Sequence, residues 1–172
     1  MSTVCDTIVS RILAREGGPT NDPVDRGGLT RWGQTDAWLA LYKLPPPTTL
    51  AQAAANYLTW LSLTKLDLVC TADDALSDVL VDAAVNAGEF GAIRALQRSI
   101  GTTPDGVIGP ETVSALQHFK RDLVAVDVWR AHGDVCIATV LSDARLQSLV
   151  QTTQLRFLRG WWNRLAAQVT RL

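Results

Sequence analysis

The chain has 172 residues, 47% of them hydrophobic, and a formal net charge of −1. That composition fits a folded globule with a sizeable core and excludes a disordered chain. The near-neutral charge gives no footprint for nucleic acid.

Cys5, Cys70 and Cys136 are odd in number and lie far apart. They suit small core positions better than a disulfide framework or a metal cluster, and a cytosolic site of synthesis fits them. Met1 to Arg15 mixes charged and apolar residues, so no secretory signal is read there. No run reaches the roughly 18 apolar residues of a membrane span, so stable membrane insertion is not expected. A substrate outside the membrane would then require export by another component.

Taken in order, Ser2 or Thr3 caps a first helix with Val4, Ile8, Ile12 and Leu13 on its apolar face, ended by Gly17-Gly18-Pro19. The Gly-, Asp-, Asn- and Thr-rich stretch to Thr35 reads as an ordered loop or short hairpin. Asp36 to Lys43 is a short helix stopped by Pro45-Pro46-Pro47, and Thr49 caps a helix over Leu50 to Leu63 carrying Ala53, Tyr57, Trp60 and Leu61. Asp73 or Asp74 opens a helix with a stripe of Leu76, Val79, Leu80, Ala83, Ala84 and Ala87, closed by Gly88. Phe90 to Ile100 is helical, Pro104-Asp105-Gly106 is a turn, and Pro110 suits the first turn of a further helix. Helices are expected near Asp122–Arg130, Val135–Leu141 and Asp143–Val169. The fold class is therefore all-α, with at most a short hairpin within 17–35.

After Asp143 the chain carries Arg145, Arg156, Arg159, Arg164 and Arg171 and no acidic residue. A basic end can attract an anionic polymer such as a cell wall. A solvated helix face with arginines near its C-terminus explains the same residues and is the preferred reading.

The chemistry is narrowed by what is missing. His118 and His132 are the only histidines, no HExxH spacing occurs, and no Walker-type glycine loop is present. A serine or cysteine nucleophile lacks an evident base. No metal or cofactor is implied, and carboxylate chemistry remains.

Glu16 sits where the first helix ends, beside carbonyls that disfavour an anion. Partial burial there would raise its pKa and keep it protonated, as the donor to a glycosidic oxygen must be. Asp22 and Asp25 follow in a polar loop and can stay ionised; Thr30 can hold a water beside Asp25. An acid with a raised pKa beside an ionised carboxylate is the pattern a lysozyme uses. Local turns to backbone N–H groups account equally well for Asp22, and less well for Asp25.

The residues Glu16-Gly17-Gly18, Asn21-Asp22-Pro23, Asp25, Gly27-Gly28, Thr30 and Gly33 resemble the signature of the glycoside hydrolase 108 muramidases, a family with many phage endolysins. The resemblance places the family's catalytic acid on Glu16. A second block, Asp82-Ala83-Ala84-Val85-Asn86-Ala87-Gly88 with Ala95-Leu96-Gln97 and Asp105-Gly106-Val107-Ile108-Gly109-Pro110, is similar to the family's C-terminal, peptidoglycan-binding region. Pro19 replaces a usual aromatic residue, Gln34 a common Ile, and the family's Tyr-Trp pair is reduced to Tyr57 and a displaced Trp60.

What the resemblance implies is a single lysozyme-like domain over 1–172, with a catalytic part at 1–70 and a helical, peptidoglycan-binding-like part at 71–172. The expected reaction is hydrolysis of the β-1,4 bond between N-acetylmuramic acid and N-acetylglucosamine. Glu16 acts as acid, and Asp25, Asp22 and Thr30 stabilise charge or activate water. Trp32, Tyr57 and Trp60 are candidates for stacking on sugar rings, whereas Trp38, Trp129, Trp161 and Trp162 are expected to pack. Asn86 either contacts an acetamido group or caps a buried turn, the latter being preferred. The expected partner is bacterial peptidoglycan, bound by a monomer made in a host cytoplasm and acting in the periplasm or wall. A wall-binding protein of little activity, a secreted effector, and a peptidoglycan peptidase or amidase are the alternatives.

Overall fold

The computed structural model describes residues 3–18, 30–71 and 75–142. The chain falls into two compact units, residues 1–72 and 73–172.

The first unit is built on two fourteen-residue helices, α1 (Thr3–Glu16) and α3 (Leu50–Leu63), which pack together. Between them lie a two-stranded hairpin, β1 (Thr30–Arg31) and β2 (Gln34–Thr35), and the short helix α2 (Asp36–Leu41). A 3-10 turn at Leu66–Leu68 follows α3.

In α1 the buried face is Cys5, Ile8, Val9 and Ile12, a spacing of three and four residues that marks one side of a helix. This differs by a small rotation from the face expected at Val4, Ile8, Ile12 and Leu13; Val4 and Leu13 are only half-buried. The cause is that apolar residues come in adjacent pairs, Val4-Cys5, Ile8-Val9 and Ile12-Leu13, so two neighbouring seams are available. Packing selects between them, and each large aliphatic side chain buried this way contributes about 1.5–3 kcal/mol. Burial also pushes the Cys5 thiol up in pKa, with the nearby Asp67 and Asp6 carboxylates adding to the effect.

Caps fix where α2 and α3 begin. Thr35 Oγ1 accepts from the Trp38 N–H at 3.1 Å, and Thr49 Oγ1 from the Gln52 N–H at 3.2 Å. The buried face of α3 is Ala53, Asn56, Tyr57, Trp60 and Leu61. Trp38 of α2 joins its aromatic residues, with ring centroids 5.5 Å from Tyr57 and 5.9 Å from Trp60.

The second unit contains α4 (Ala75–Ala87), α5 (Glu89–Ser99), α6 (Pro110–Leu116) and α7 (Arg121–Ser142). Helix α4 is its centre, packed by α5 and α7 and buried continuously from Leu76 to Ala84. Its polar residues Ser77, Asp78 and Asp82 lie inside, so the apolar stripe expected from the sequence is narrower than the buried surface. Asp82 Oδ2 comes to 4.0 Å from Nε2 of the buried His132 on α7.

Buried Gln97 on α5 organises the loop into α6. Its Nε2 donates to Asp105 Oδ1 (2.7 Å), the Val107 carbonyl (3.0 Å) and Thr112 Oγ1 (3.3 Å), and its Oε1 accepts from the Gly106 N–H at 2.8 Å. Thus the Asp105-to-Pro110 motif and the Gln97 motif are two halves of one hydrogen-bonded turn.

Helix α7 is continuous where two helices, Asp122–Arg130 and Val135–Leu141, are expected. Gly133 lies between them, and a glycine costs a helix interior only about 1 kcal/mol, which a long packed helix absorbs. The expected helix at Asp143–Val169, and with it Trp161 and Trp162, lies outside the described residues.

Candidate active site

Glu16 is the last residue of α1, and its half-buried side chain lies against the turn of the hairpin. A Cβ placed on Gly33 would fall 2.6 Å from Glu16 Oε2, 2.7 Å from its Cγ and 2.8 Å from its Cδ. Only a residue without a side chain leaves room for the carboxyl group at this spot.

The turn itself is unusual. The strands are antiparallel, pairing Thr30 with Thr35 and Arg31 with Gln34, so Trp32 and Gly33 form a two-residue loop. Both have positive φ, 51° and 78°, the sign pattern of a type I′ turn, whose twist matches that of the flanking strands. Glycine takes this conformation freely, whereas a tryptophan in it carries about 1–2 kcal/mol of strain.

Helix α3 holds the strained turn from behind. The Tyr57 hydroxyl donates to the Trp32 carbonyl at 3.0 Å. Gln34 Nε2 donates to the Ala53 carbonyl at 2.8 Å, while Asn56 Nδ2 donates to Gln34 Oε1 and to the Pro45 carbonyl, both at 2.9 Å. Gln34 is 0% exposed, so these bonds replace water completely at its amide. On the exposed side, Arg31 Nη1 pairs with Asp36 Oδ1 at 2.8 Å; in solvent such a pair contributes at most about 1 kcal/mol.

Glu16, Thr30 and Trp32 therefore belong to one neighbourhood: the end of α1 and the hairpin that meets it. Trp32 is half-buried at the tip and Thr30 half-buried in β1. Asp22 and Asp25 lie outside the described residues.

Two sugar-stacking candidates need correction. Tyr57 is 1% and Trp60 0% exposed, so neither ring has a face to offer a pyranose. They are core residues in edge contact, with ring centroids 6.2 Å apart, and Tyr57 reaches the turn through its hydroxyl. Asn86 belongs to the second unit, where its Nδ2 donates to the Asp82 carbonyl one helical turn back at 2.8 Å.

The sequence points to Gly33 only as one of several signature glycines, and gives no sign of the Gln34–Asn56 pair. A Gly preceded by Trp between Thr-Arg and Gln-Thr does carry a hairpin signal; the contact with Glu16 depends on tertiary structure.

Residues 9–88, which include Glu16 and the second half of α1, the hairpin and α3, match the family model described as Glycosyl hydrolase 108. That stretch of the chain is a glycosyl hydrolase 108 domain. Residues 91–166 match the model described as Predicted Peptidoglycan domain. The glycosyl hydrolase 108 domain makes this protein a glycoside hydrolase, and its pairing with the peptidoglycan domain makes it a peptidoglycan hydrolase. Its predominantly helical, lysozyme-like fold is shared with the structure of Brucella abortus SagA, at 22% identity and a TM-score of 0.65, over 97% of this chain and 92% of that one. No curated protein matches the chain.

Proposed function

We propose that this hydrolase is a muramidase that splits the β-1,4 bond between N-acetylmuramic acid and N-acetylglucosamine, with Glu16 as general acid. One observation carries the reading: the Glu16 carboxyl group is set into the space that the missing Gly33 side chain leaves, at the carbonyl end of α1. A carboxyl group so held has a fixed position from which to donate a proton, and the helix carbonyls work against the bare anion.

In this mechanism Glu16 protonates the leaving oxygen as the C1–O bond breaks. Asp25, assisted by Asp22, stabilises the oxocarbenium-like charge or, with Thr30, activates the water that attacks C1. That water supplies one proton to restore balance and its oxygen to the new reducing end. Trp32, at the hairpin tip, offers a ring to the sugar.

The test is clearing of outer-membrane-stripped bacteria by wild type and Glu16→Gln. Wild-type clearing with loss of at least a hundredfold in the variant is the expected result. If wild type clears no faster than the variant, the acid assignment fails. Mass spectrometry of the digest should find new reducing muramic acid ends; new free amines would instead identify an amidase or peptidase.

For its setting, we propose a phage endolysin made in a host cytoplasm and acting on the wall once a separate pore admits it. Cytoplasmic expression should lyse cells only when a pore-forming protein is co-expressed. Lysis, or secretion into the medium, without the pore would overturn this setting.

A further inference from the structure

We propose that Tyr57 is a positioning residue for Glu16, acting through the Trp32–Gly33 turn, and that the buried Gln34–Asn56 amide pair is a second tether of the same turn. The inference rests on the assignment of Glu16 as the acid.

The hairpin has little of its own to hold it in place. Each strand has two residues, so few ladder bonds hold it, and even longer isolated hairpins are marginal in water. Its tip also contains a tryptophan at φ 51°. A strained residue of this kind persists only where surrounding structure over-determines it.

That over-determination comes from one face of α3. Ala53, Asn56 and Tyr57 are spaced by three and four residues and so lie together on the helix. Each bonds to the hairpin: Ala53 through its carbonyl to Gln34, Asn56 through its amide to Gln34, and Tyr57 through its hydroxyl to Trp32. The Tyr57 ring is itself fixed by Trp38, 5.5 Å away, and Trp60, 6.2 Å away.

A short chain of contacts therefore runs from the rigid core to the acid. The α3 core sets Tyr57, whose hydroxyl fixes the Trp32 carbonyl. The peptide joining Trp32 to Gly33 then fixes the Gly33 Cα, against which the Glu16 carboxyl lies. If the turn shifts, the carboxyl loses its seat and water gains access to it. Displacements near 1 Å can cost about a hundredfold in rate.

Tyr57→Phe removes one oxygen and keeps the ring packing. With soluble un-cross-linked glycan strands as substrate, it should lower kcat about tenfold and leave KM within about twofold, the pattern of a group that acts in the transition state. The alkaline limb of its pH profile should move toward lower pH as water reaches the Glu16 carboxyl. In a Glu16→Gln background the same substitution should have no further effect on the residual rate, because its route is through Glu16. Gln34→Leu, which removes the other tether, should also lower kcat.

Wild-type kcat and pH profile in both Tyr57→Phe and Gln34→Leu would overturn the inference, whatever happens to Tm. So would an undiminished effect of Tyr57→Phe in the Glu16→Gln background. If Glu16→Gln alone keeps wild-type activity, the acid assignment is at fault and the inference falls with it. An inactive Glu16→Gln beside an unaffected Tyr57→Phe overturns the positioning role alone.

Discussion

The Glu16 carboxyl group and the Cα of Gly33 are in intimate contact: a Cβ on Gly33 would fall 2.6 Å from Glu16 Oε2. The last residue of one helix is thus seated on the turn of a hairpin that begins fourteen residues later, at Thr30. Gly33 is required twice over, by this approach and by its φ of 78°.

Gly33→Ala separates the two requirements. The positive φ alone should cost about 1–2 kcal/mol of stability. The added methyl group must also displace the Glu16 side chain, so activity should fall at least tenfold beyond what the stability loss explains. Thermal unfolding and wall clearing below Tm measure the two effects. An active enzyme with lowered Tm would show that the Glu16 carboxyl need not lie on the turn.

Trp32 should trade stability for activity. Asn-Gly is favoured where a type I′ turn needs two positive φ values, so Trp32→Asn should relieve strain and raise stability by roughly 1 kcal/mol. It also removes the aromatic face at the tip. If that face binds sugar, KM for glycan strands should rise several-fold while Tm increases. An unchanged KM would take Trp32 out of the binding site, and a fall in Tm would mean that its packing outweighs its strain.

Much of this architecture is legible in the sequence, for identifiable reasons. Helix α3 runs from Leu50 to Leu63 as its Thr49 cap and apolar spacing predict, because the signals are local. The end of α1 at Glu16 is equally local. Burial is different. Tyr57 and Trp60 carry aromatic rings suited either to a sugar or to a core, and only the partners that surround them decide. The inward-facing Ser77, Asp78 and Asp82 likewise look like solvent positions until α5 and α7 close around α4. Glu16 is conspicuous in the sequence as an acid at the wrong end of a helix; its seat on Gly33 depends on a contact that periodicity does not encode.

Acid should loosen the second unit through Asp105. Its carboxyl is held below the ordinary aspartate value of 3.8, first by the Val107 N–H and then by the Gln97 amide, with which it makes bonds of 2.9 and 2.7 Å. A lowered folded-state pKa means that the stabilisation is fully present above the unfolded value and disappears as pH falls through the folded one. Asp105→Asn should therefore be less stable than wild type at neutral pH. The difference should shrink as pH falls below 3.8 and close once wild-type Asp105 is protonated. Tm measured against pH for both proteins checks this; a constant difference down to the acid limit would show that the carboxylate's charge plays no part in holding the loop.

Gly106 poses the problem of Gly33 again, in the peptidoglycan domain. Its φ is 80°, its N–H donates to Gln97 Oε1, and the Phe90 ring lies directly over it, where a Cβ would collide with Cδ2 and Cε2. Phe90 is nevertheless 53% exposed, with the Arg94 guanidinium 5.4 Å from its ring centroid. The ring can therefore swing outward to make room, at the cost of its contact with the loop and of a cation–π interaction of about 0.5–1 kcal/mol. Gly106→Ala should accordingly destabilise the unit by about 1.5–3 kcal/mol, the sum of the positive-φ cost and that lost contact. Replacing Phe90 by Ala beforehand should reduce the cost to the φ contribution alone, so the two substitutions should be coupled by about 1 kcal/mol in a double-mutant cycle read by urea unfolding. Strict additivity would mean that the ring and the glycine do not sense one another, and that the exposed Phe90 face is free of the loop it covers.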